Sequence, residues 1–327
     1  MSSRPTDFIY PGVLAAQAIH AAVQLRIPDL LRSGPRSVAD LAAESGAHAA
    51  SLERLLRALT AMEVFRREPD GRYRNSPQSD LLRSDHPLSL VAIGRFLPSA
   101  HMWRALGELP DSVRTGEAAF DRAWGQSFFS YLEEHPEEAA VFNRLMTQEI
   151  TWITPLLRRA YDFTRFHKLV DVGGGEGMFL RAILEAAPGL QGVLFDQPQV
   201  VAAAARNLTD GLAGRAVAVG GSFFEGVPEG GDVYTLKRIL HDWSDEDAAR
   251  ILRNIRRAMQ PGGTLLVLES LVDSPTHPAG LADLMMLVLG GRERTEADFR
   301  ALFHSAGFAL QRVVPVGTYA LLESRPI

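Results

Sequence analysis

Over the first hundred residues, apolar positions recur at helical spacing between short polar interruptions. Residues 15–25 form one such stretch, broken by Gln17, His20 and Gln24. Ser37 is placed to cap a helix through Val38-Ala-Asp-Leu-Ala-Ala-Glu-Ser, and Gly46 to end it. Ser51 is placed to cap a second helix over residues 52–62, with Leu52, Leu55, Leu56 and Leu59 along one face. Val64-Phe65, an Asp70-Gly71 turn and Tyr73 then predict a β-hairpin. Helix, turn, helix and hairpin in that order predict a winged helix over residues 1–100. The leucines of the second helix exceed what so small a core needs, which predicts burial against a second copy of the chain.

Residues 101–160 carry many large apolar side chains, among them Trp103, Trp124, Phe128, Phe129, Phe142 and Trp152. Pro110, Gly116 and Gly125 divide the segment into short helices. From residue 161 to 327 the texture changes. Short apolar runs at Lys168-Leu-Val-Asp-Val, Gly192-Val-Leu-Phe-Asp, Ala216-Val-Ala-Val, Asp232-Val-Tyr-Thr-Leu and Gly263-Thr-Leu-Leu-Val-Leu-Glu read as strands. Helical stretches over 178–187, 198–207 and 246–259 separate most of them, which predicts an α/β fold with a parallel sheet and right-handed crossovers. Residues 308–314 and 318–323, joined by Pro315-Val-Gly, predict an antiparallel hairpin at the sheet edge.

Composition narrows the function. The chain has 327 residues and no cysteine, which removes thiolate metal sites, disulfides and a Cys nucleophile. A net charge of −5 favours neither nucleic acid nor an anionic membrane. Residues 1–100 hold twelve Arg and Lys against ten Asp and Glu. A DNA-binding regulator, the rival reading that a winged helix raises, needs a larger surplus of cations. The N-terminus lacks the pattern of a signal peptide and no apolar run matches a membrane span, so a cytoplasmic protein is expected.

The candidate chemistry starts at Leu169-Val-Asp-Val-Gly-Gly-Gly-Glu-Gly-Met, a strand, a glycine loop and a helix start. Its Gly173-x-Gly175-x-Gly177 spacing departs from the G-x-G-x-x-G of a dinucleotide site, because position 178 is Met. The form suits a less bulky, zwitterionic group. Asp196 ends the next strand, where an acid grips a ribose diol, with capping of the helix that follows as the alternative. His241 follows the fourth strand, where catalytic groups of open α/β sheets gather. A neutral imidazole can take the proton of a phenol. Lys237 and His241 are four apart, so a helical turn there would set both on one side. Ser244, with Glu246 and Asp247 behind it, also has the pattern of a helix start. A metal site at Asp242, Asp245 and Asp247 fits the spacing less well than helix-start charge.

Asp171-Val-Gly-Gly-Gly-Glu-Gly, Phe195-Asp-Gln-Pro, Gly221-Ser-Phe-Phe and Leu236-Lys-Arg-Ile-Leu-His-Asp-Trp-Ser-Asp-Glu resemble, in order, the S-adenosylmethionine-dependent small-molecule O-methyltransferases. These include the plant caffeate and isoflavone type and bacterial polyketide-tailoring enzymes. The resemblance covers essentially the whole chain. It implies a Rossmann-like methyltransferase domain, an N-terminal winged-helix dimerisation domain and a homodimer. It further implies that Gly173, Gly174 and Gly175 contact the methionine end of S-adenosylmethionine and Asp196 its ribose. Ser222 and Phe223 would flank the adenine, with Lys237 beside the cofactor; many relatives carry Asp where this chain has Ser222. His241 would be the base and Glu269 the acid that orients it. Glu293 matches a second such acid, with a surface ion pair to Arg292 or Arg294 as its competitor. Met146 and Met286 match positions that pack on an aromatic acceptor, which Asp242 would also touch, though both methionines could be core. No metal is implied. N-methylation on the same fold is the nearest alternative chemistry.

Overall fold

The computed structural model describes residues 5–209, 211, 212, 214–274 and 279–327. They form two compact units, one of residues 1–104 with 135–148, the other of 105–134 with 149–327. Residues 101–160, expected as one middle segment, are therefore shared between the two.

In the first unit, helices Val38–Ser45 and Ala49–Ala61 are followed by a hairpin of β1 (Phe65–Arg67) and β2 (Tyr73–Asn75). This is the predicted order. Ser37 accepts a hydrogen bond from Asp40 N at 3.1 Å, and Gly46 ends the helix at φ 72°. Ser51, however, is not a cap. The helix begins at Ala49, with His48 before it, because Ala49 and Ala50 extend the helical backbone toward the N-terminus. Leu52, Leu56 and Leu59 are fully used in this unit's own core with Leu41, Phe65 and Tyr73, and Leu55 packs against them. No surplus of leucines is left there. The unpartnered apolar side chains lie instead on the helix Pro5–Gln24, where Ile9, Tyr10, Val13 and Leu14 are 47–74% exposed.

The second unit is built on a seven-stranded sheet. Its strands are β3 (Lys168–Val172), β4 (Gln191–Asp196), β5 (Ala216–Gly220), β6 (Val233–Lys237), β7 (Thr264–Glu269), β8 (Phe308–Val316) and β9 (Tyr319–Pro326), in the order β5-β4-β3-β6-β7-β9-β8. The first five are parallel, and β9 runs antiparallel to both β7 and β8. Near-continuous apolar strands are what a sheet covered on both faces requires. In β7, Leu265 and Val267 join Tyr234, Leu236 and Ile251 on one side. Leu266 and Leu268 join Leu169, Leu180 and Ile183 on the other. The chain leaves β3 toward β4 on one flank and returns to β6 on the other. That reversal opens a crevice at the carboxyl ends of β3 and β6, where open α/β sheets bind ligands. Among the described residues no helix is long and apolar enough to cross a membrane.

Candidate active site

The glycine loop leaves β3 directly into the helix Met178–Ala186. A Cβ on Gly173 would lie 2.5 Å from Ile239 Cδ1, and one on Gly174 would lie 2.4 Å from Leu194 Cδ1 and 2.5 Å from Asp171 Oδ2. These two glycines allow close packing beneath the loop. Gly175 differs: its φ is +58° and a Cβ there would meet nothing within 4 Å. Its backbone N–H donates to Asp196 Oδ2 at 2.8 Å, and Gln197 N donates to Asp196 Oδ1 at 2.7 Å. The tip of β4 and the loop after β3 thus form one cradle with open space above Gly175. Beneath it Asp171 is buried. One of its oxygens accepts from Thr235 Oγ1 at 2.7 Å, and the other has no hydrogen-bond partner. Burial pushes its carboxyl up to about 7, against the pull of the Thr235 hydrogen bond.

Ser222 forms the turn after β5, with Phe224 N donating to its hydroxyl at 3.3 Å. The Phe223 ring meets Phe224 and Trp243 edge-on, at centroid distances of 4.9 and 5.8 Å. Asn254 Nδ2 donates to Phe223 O at 2.7 Å. Phe223 therefore joins this turn to the segment just after His241.

Lys237 is the last residue of β6, and Leu240–Asp242 is a single 3₁₀ turn, so no helical turn connects Lys237 to His241. Between them Arg238 adopts a left-handed backbone at φ 56°, which for a residue with a side chain costs about 1–2 kcal/mol. Lys237 Nζ donates to Glu149 Oε2 at 2.7 Å. Tyr319 OH donates to the other Glu149 oxygen. Burial raises the Glu149 carboxyl, but Lys237, Arg238 and these hydrogen bonds outweigh it and hold it down at about 2.

His241 is buried and its turn is gripped on several sides. Glu269 Oε1 accepts from the backbone N–H groups of Ile239 at 3.0 Å, Leu240 at 2.9 Å and His241 at 3.4 Å. Arg294, fully buried, donates to Leu240 O at 2.6 Å, to Trp243 O at 2.8 Å and to Asp245 Oδ1. Arg292 N donates to His241 O at 2.7 Å, an approach possible only because Gly291 has no Cβ, which would lie 2.3 Å from that oxygen. Glu293 is buried rather than on the surface. Its Oε1 lies 3.2 Å from His241 Nδ1 and accepts from Arg238 Nη1 at 3.0 Å. Asp283 Oδ1 fixes the Glu293 backbone N–H at 2.9 Å. Glu269 Oε2 is 3.7 Å from Nδ1, so the closer acid to the imidazole is Glu293, and Glu269 mainly holds the backbone.

With Nδ1 facing Glu293, the other nitrogen, Nε2, faces Asp242 Oδ1 at 3.4 Å. Burial disfavours an imidazolium here. The carboxylates of Glu269 and Asp242 and the Glu293 contact outweigh burial and the repulsion of Arg238, leaving the His241 pKa above its ordinary value. Burial raises Glu269. For Glu293 the hydrogen bond and charge of His241, with Arg238, overcome burial and lower it. Ligand-type atoms of His241, Glu269 and Glu293 lie within 4.8 Å of one another, a spacing that could hold a cation. The Arg238 guanidinium already supplies the positive charge against Glu293.

Met286 is buried beside this turn. Its Cε lies 2.7 Å from where a Cβ of Gly291 would be, and its carbonyl accepts from Gly291 N at 2.8 Å. Met146, partly buried on the helix Pro136–Ala160, belongs to the first unit, whereas Met286 belongs to the second. Sequence reasoning passed over Glu149, Arg238, Arg294 and Tyr319. Arg238 stood inside the motif that contains His241. Glu149 carried no signal, because a Glu in a long helix reads as solvent-facing.

A glycine cradle at the topological switch point, an acid at the tip of the neighbouring strand and a buried histidine at the next strand end define a Rossmann-like group-transfer enzyme. Family comparison agrees. An O-methyltransferase domain matches residues 103–309 and an O-methyltransferase dimerisation domain matches residues 9–85. The chain belongs to the S-adenosylmethionine-dependent O-methyltransferases. It is 42% identical to a mitomycin biosynthesis 6-O-methyltransferase of Streptomyces lavendulae over 94% of this chain and 90% of that one. It is 40% identical to a phenazine O-methyltransferase of Lysobacter antibioticus over 97% of this chain and 94% of that one. A neocarzinostatin-biosynthesis O-methyltransferase, solved with S-adenosylmethionine and 2-hydroxy-5-methyl naphthoic acid, superposes with a TM-score of 0.84 at 35% identity, covering 96% of each chain.

Proposed function

We propose that this enzyme methylates a phenolic hydroxyl of an aromatic small molecule, a natural-product intermediate of the aromatic polyketide kind, with His241 as general base. The observation that carries the reading is the setting of His241. It is buried at the sheet's carboxyl edge, with Nδ1 3.2 Å from Glu293 Oε1 and Nε2 3.4 Å from Asp242 Oδ1. S-adenosylmethionine, when bound, supplies an electrophilic methyl on a sulfonium. The residues present fit it. Gly175 offers open space, Asp196 is a half-buried carboxylate poised for a ribose diol, and Gly173 and Gly174 keep the loop close to β4. Ser222 and Phe223 form the wall assigned to the adenine, and Lys237 stands beside the site.

His241 Nε2 accepts the phenol proton as the oxygen becomes nucleophilic, and Glu293 stabilises the resulting imidazolium. Glu269 contributes by holding the backbone turn that aims the ring. Met286 presents a polarizable edge to a flat acceptor. Asp242 orients the acceptor hydroxyl. The enzyme acts as a homodimer through its N-terminal unit, in the cytoplasm. The dimerisation-domain match and the apolar row on the helix Pro5–Gln24 support the dimer.

The test is a panel of phenolic and arylamine acceptors with isotopically labelled S-adenosylmethionine, reading turnover and the methylated atom by mass spectrometry. O-methylated phenols with turnover lost in His241→Ala are expected. Exclusive N-methylation, or turnover indifferent to His241, overturns the reading.

A further inference from the structure

Among the described residues, Arg238 is the charged residue of the site that reaches both of its carboxylate groupings. On one side its Nε lies 3.9 Å from Glu149 Oε1, the acid that also holds Lys237. On the other its Nη1 donates at 3.0 Å to Glu293 Oε1, the same oxygen that lies 3.2 Å from His241 Nδ1. Its guanidinium sits 5.7 Å from the centroid of the Tyr319 ring. The backbone bends into a left-handed conformation at this residue, and its N–H donates to Leu268 O at 3.0 Å, anchoring it to β7. A strained, anchored, mostly buried arginine is positioned by the fold rather than left to solvent.

We propose that Arg238 is a positioning residue for the base: it holds the Glu293 carboxylate aimed at His241 Nδ1 and, as the cation that shares that carboxylate, keeps His241 free to exchange its proton. The proposal rests on the assignment of His241 as base. Without this cation, the imidazolium would be the positive charge left to face the carboxylates of Glu293 and Glu269, and His241 would hold its proton more tightly. The charged groups around His241 are Glu269 from β7, Glu293 from the segment after the helix Ala279–Leu289, Asp242 from its own turn and Arg238 from the end of β6. Three of them attract a proton to the imidazole and Arg238 alone repels one, which agrees with the signs of their effects on His241. Arg238 in turn faces Glu149, Tyr319, Glu269 and Glu293.

The experiment compares wild type, Arg238→Gln and Arg238→Lys in the full chain. It reads the acid limb of kcat/KM against pH and, independently of turnover, the NMR titration of the His241 ring, assigned with His241→Asn. Loss of the cation in Arg238→Gln is expected to move the imidazole titration and the kinetic limb to higher pH by about one unit, a roughly tenfold loss of kcat/KM on the acid side. Arg238→Lys, which keeps the charge, is expected to restore most of the shift. An unmoved or downward-shifted His241 titration in folded Arg238→Gln overturns the proposal. A moved titration with no kinetic limb in any variant would sink the base assignment instead. Should Arg238→Gln fail to fold, Arg238→Met, which keeps the apolar stem without the charge, is read in the same way: an upward shift of the His241 titration is expected, and an unmoved or downward-shifted titration refutes the idea.

Discussion

Glu293 and Arg294, neighbours in the chain and opposite in charge, grip the same turn from two sides. Glu293 reaches the His241 ring at 3.2 Å while Arg294 donates to the carbonyl of Leu240, the residue before that histidine, at 2.6 Å. One dipeptide thus fixes both the orientation of the ring and the course of the backbone that carries it. The arrangement separates two tasks that mutation can test independently.

Replacing His241 by Ala should lower kcat by about 10²–10⁴-fold while changing cofactor affinity little, since a positioned general base contributes roughly that much. The deficit should shrink for acidic phenols of the nitrophenol type and at high pH, where solvent ionises the acceptor. Steady-state kinetics across a series of phenol pKa values checks this. A deficit that stays constant across the series is incompatible with a base role.

The two glutamates should behave differently. Glu293→Gln removes the charge that favours the imidazolium, so the His241 pKa falls. The acid limb of kcat/KM, which in wild type should lie above the ordinary histidine value of about 6.5, should move to lower pH with a reduced plateau. Glu269→Leu strips the shared acceptor from three backbone N–H groups and should cost on the order of 3 kcal/mol of stability, since each buried unpaired donor costs about 1–3 kcal/mol. Glu269→Gln, which keeps a carbonyl oxygen, should recover most of that stability. Thermal melts and pH profiles of all three variants separate the roles.

Gly175→Ala should fold, because its Cβ enters open space, with a loss of about 1–2 kcal/mol from the left-handed backbone. Its affinity for S-adenosylmethionine should fall far more than its stability, and Gly175→Val should abolish binding. Asp196→Ala should weaken binding by about 1.5–3 kcal/mol, the worth of hydrogen bonds to a charged group. Titration calorimetry on folded protein measures each. Unchanged affinity in Asp196→Ala removes the ribose assignment.

Charges introduced on the exposed row of the helix Pro5–Gln24, as in Val13→Glu with Leu14→Lys, should yield a monomer in analytical ultracentrifugation at micromolar concentration. The same treatment of Leu52 or Leu59 should unfold the unit, because those side chains lie in its own core.

The local pattern of residues was enough for a good part of this. Alternating β-rich and helical runs determined the strand–helix succession, and the terminal hairpin followed from two apolar runs around Pro315-Val-Gly. Ser37 and Gly46 bounded their helix because capping is chemistry within a few residues. The places of the loop at 173–177, Asp196 and His241 were legible because each ends or closely follows a strand, and strand ends of an open parallel sheet converge. What depended on long-range packing was not legible. Both Glu269 and Glu293 were candidates for the imidazole. Only the sheet order, with β7 beside β6, puts Glu269 under the backbone amides, and only the path after the helix Ala279–Leu289 brings Glu293 to Nδ1 across 52 residues of sequence. Glu149 and Tyr319 lie farther still from the motif they serve, 88 residues before Lys237 in the first case. The spacing of Lys237 and His241 suggested a helical turn, but the backbone turns left-handed at Arg238 to reach both Glu149 and Glu293. Apolar leucines in the second N-terminal helix suggested an interface, and the tertiary fold consumed them in its own core. A sequence fixes which groups are near in chain and which faces are apolar; which charges meet, and which apolar face remains uncovered, is decided by where the folded backbone carries them.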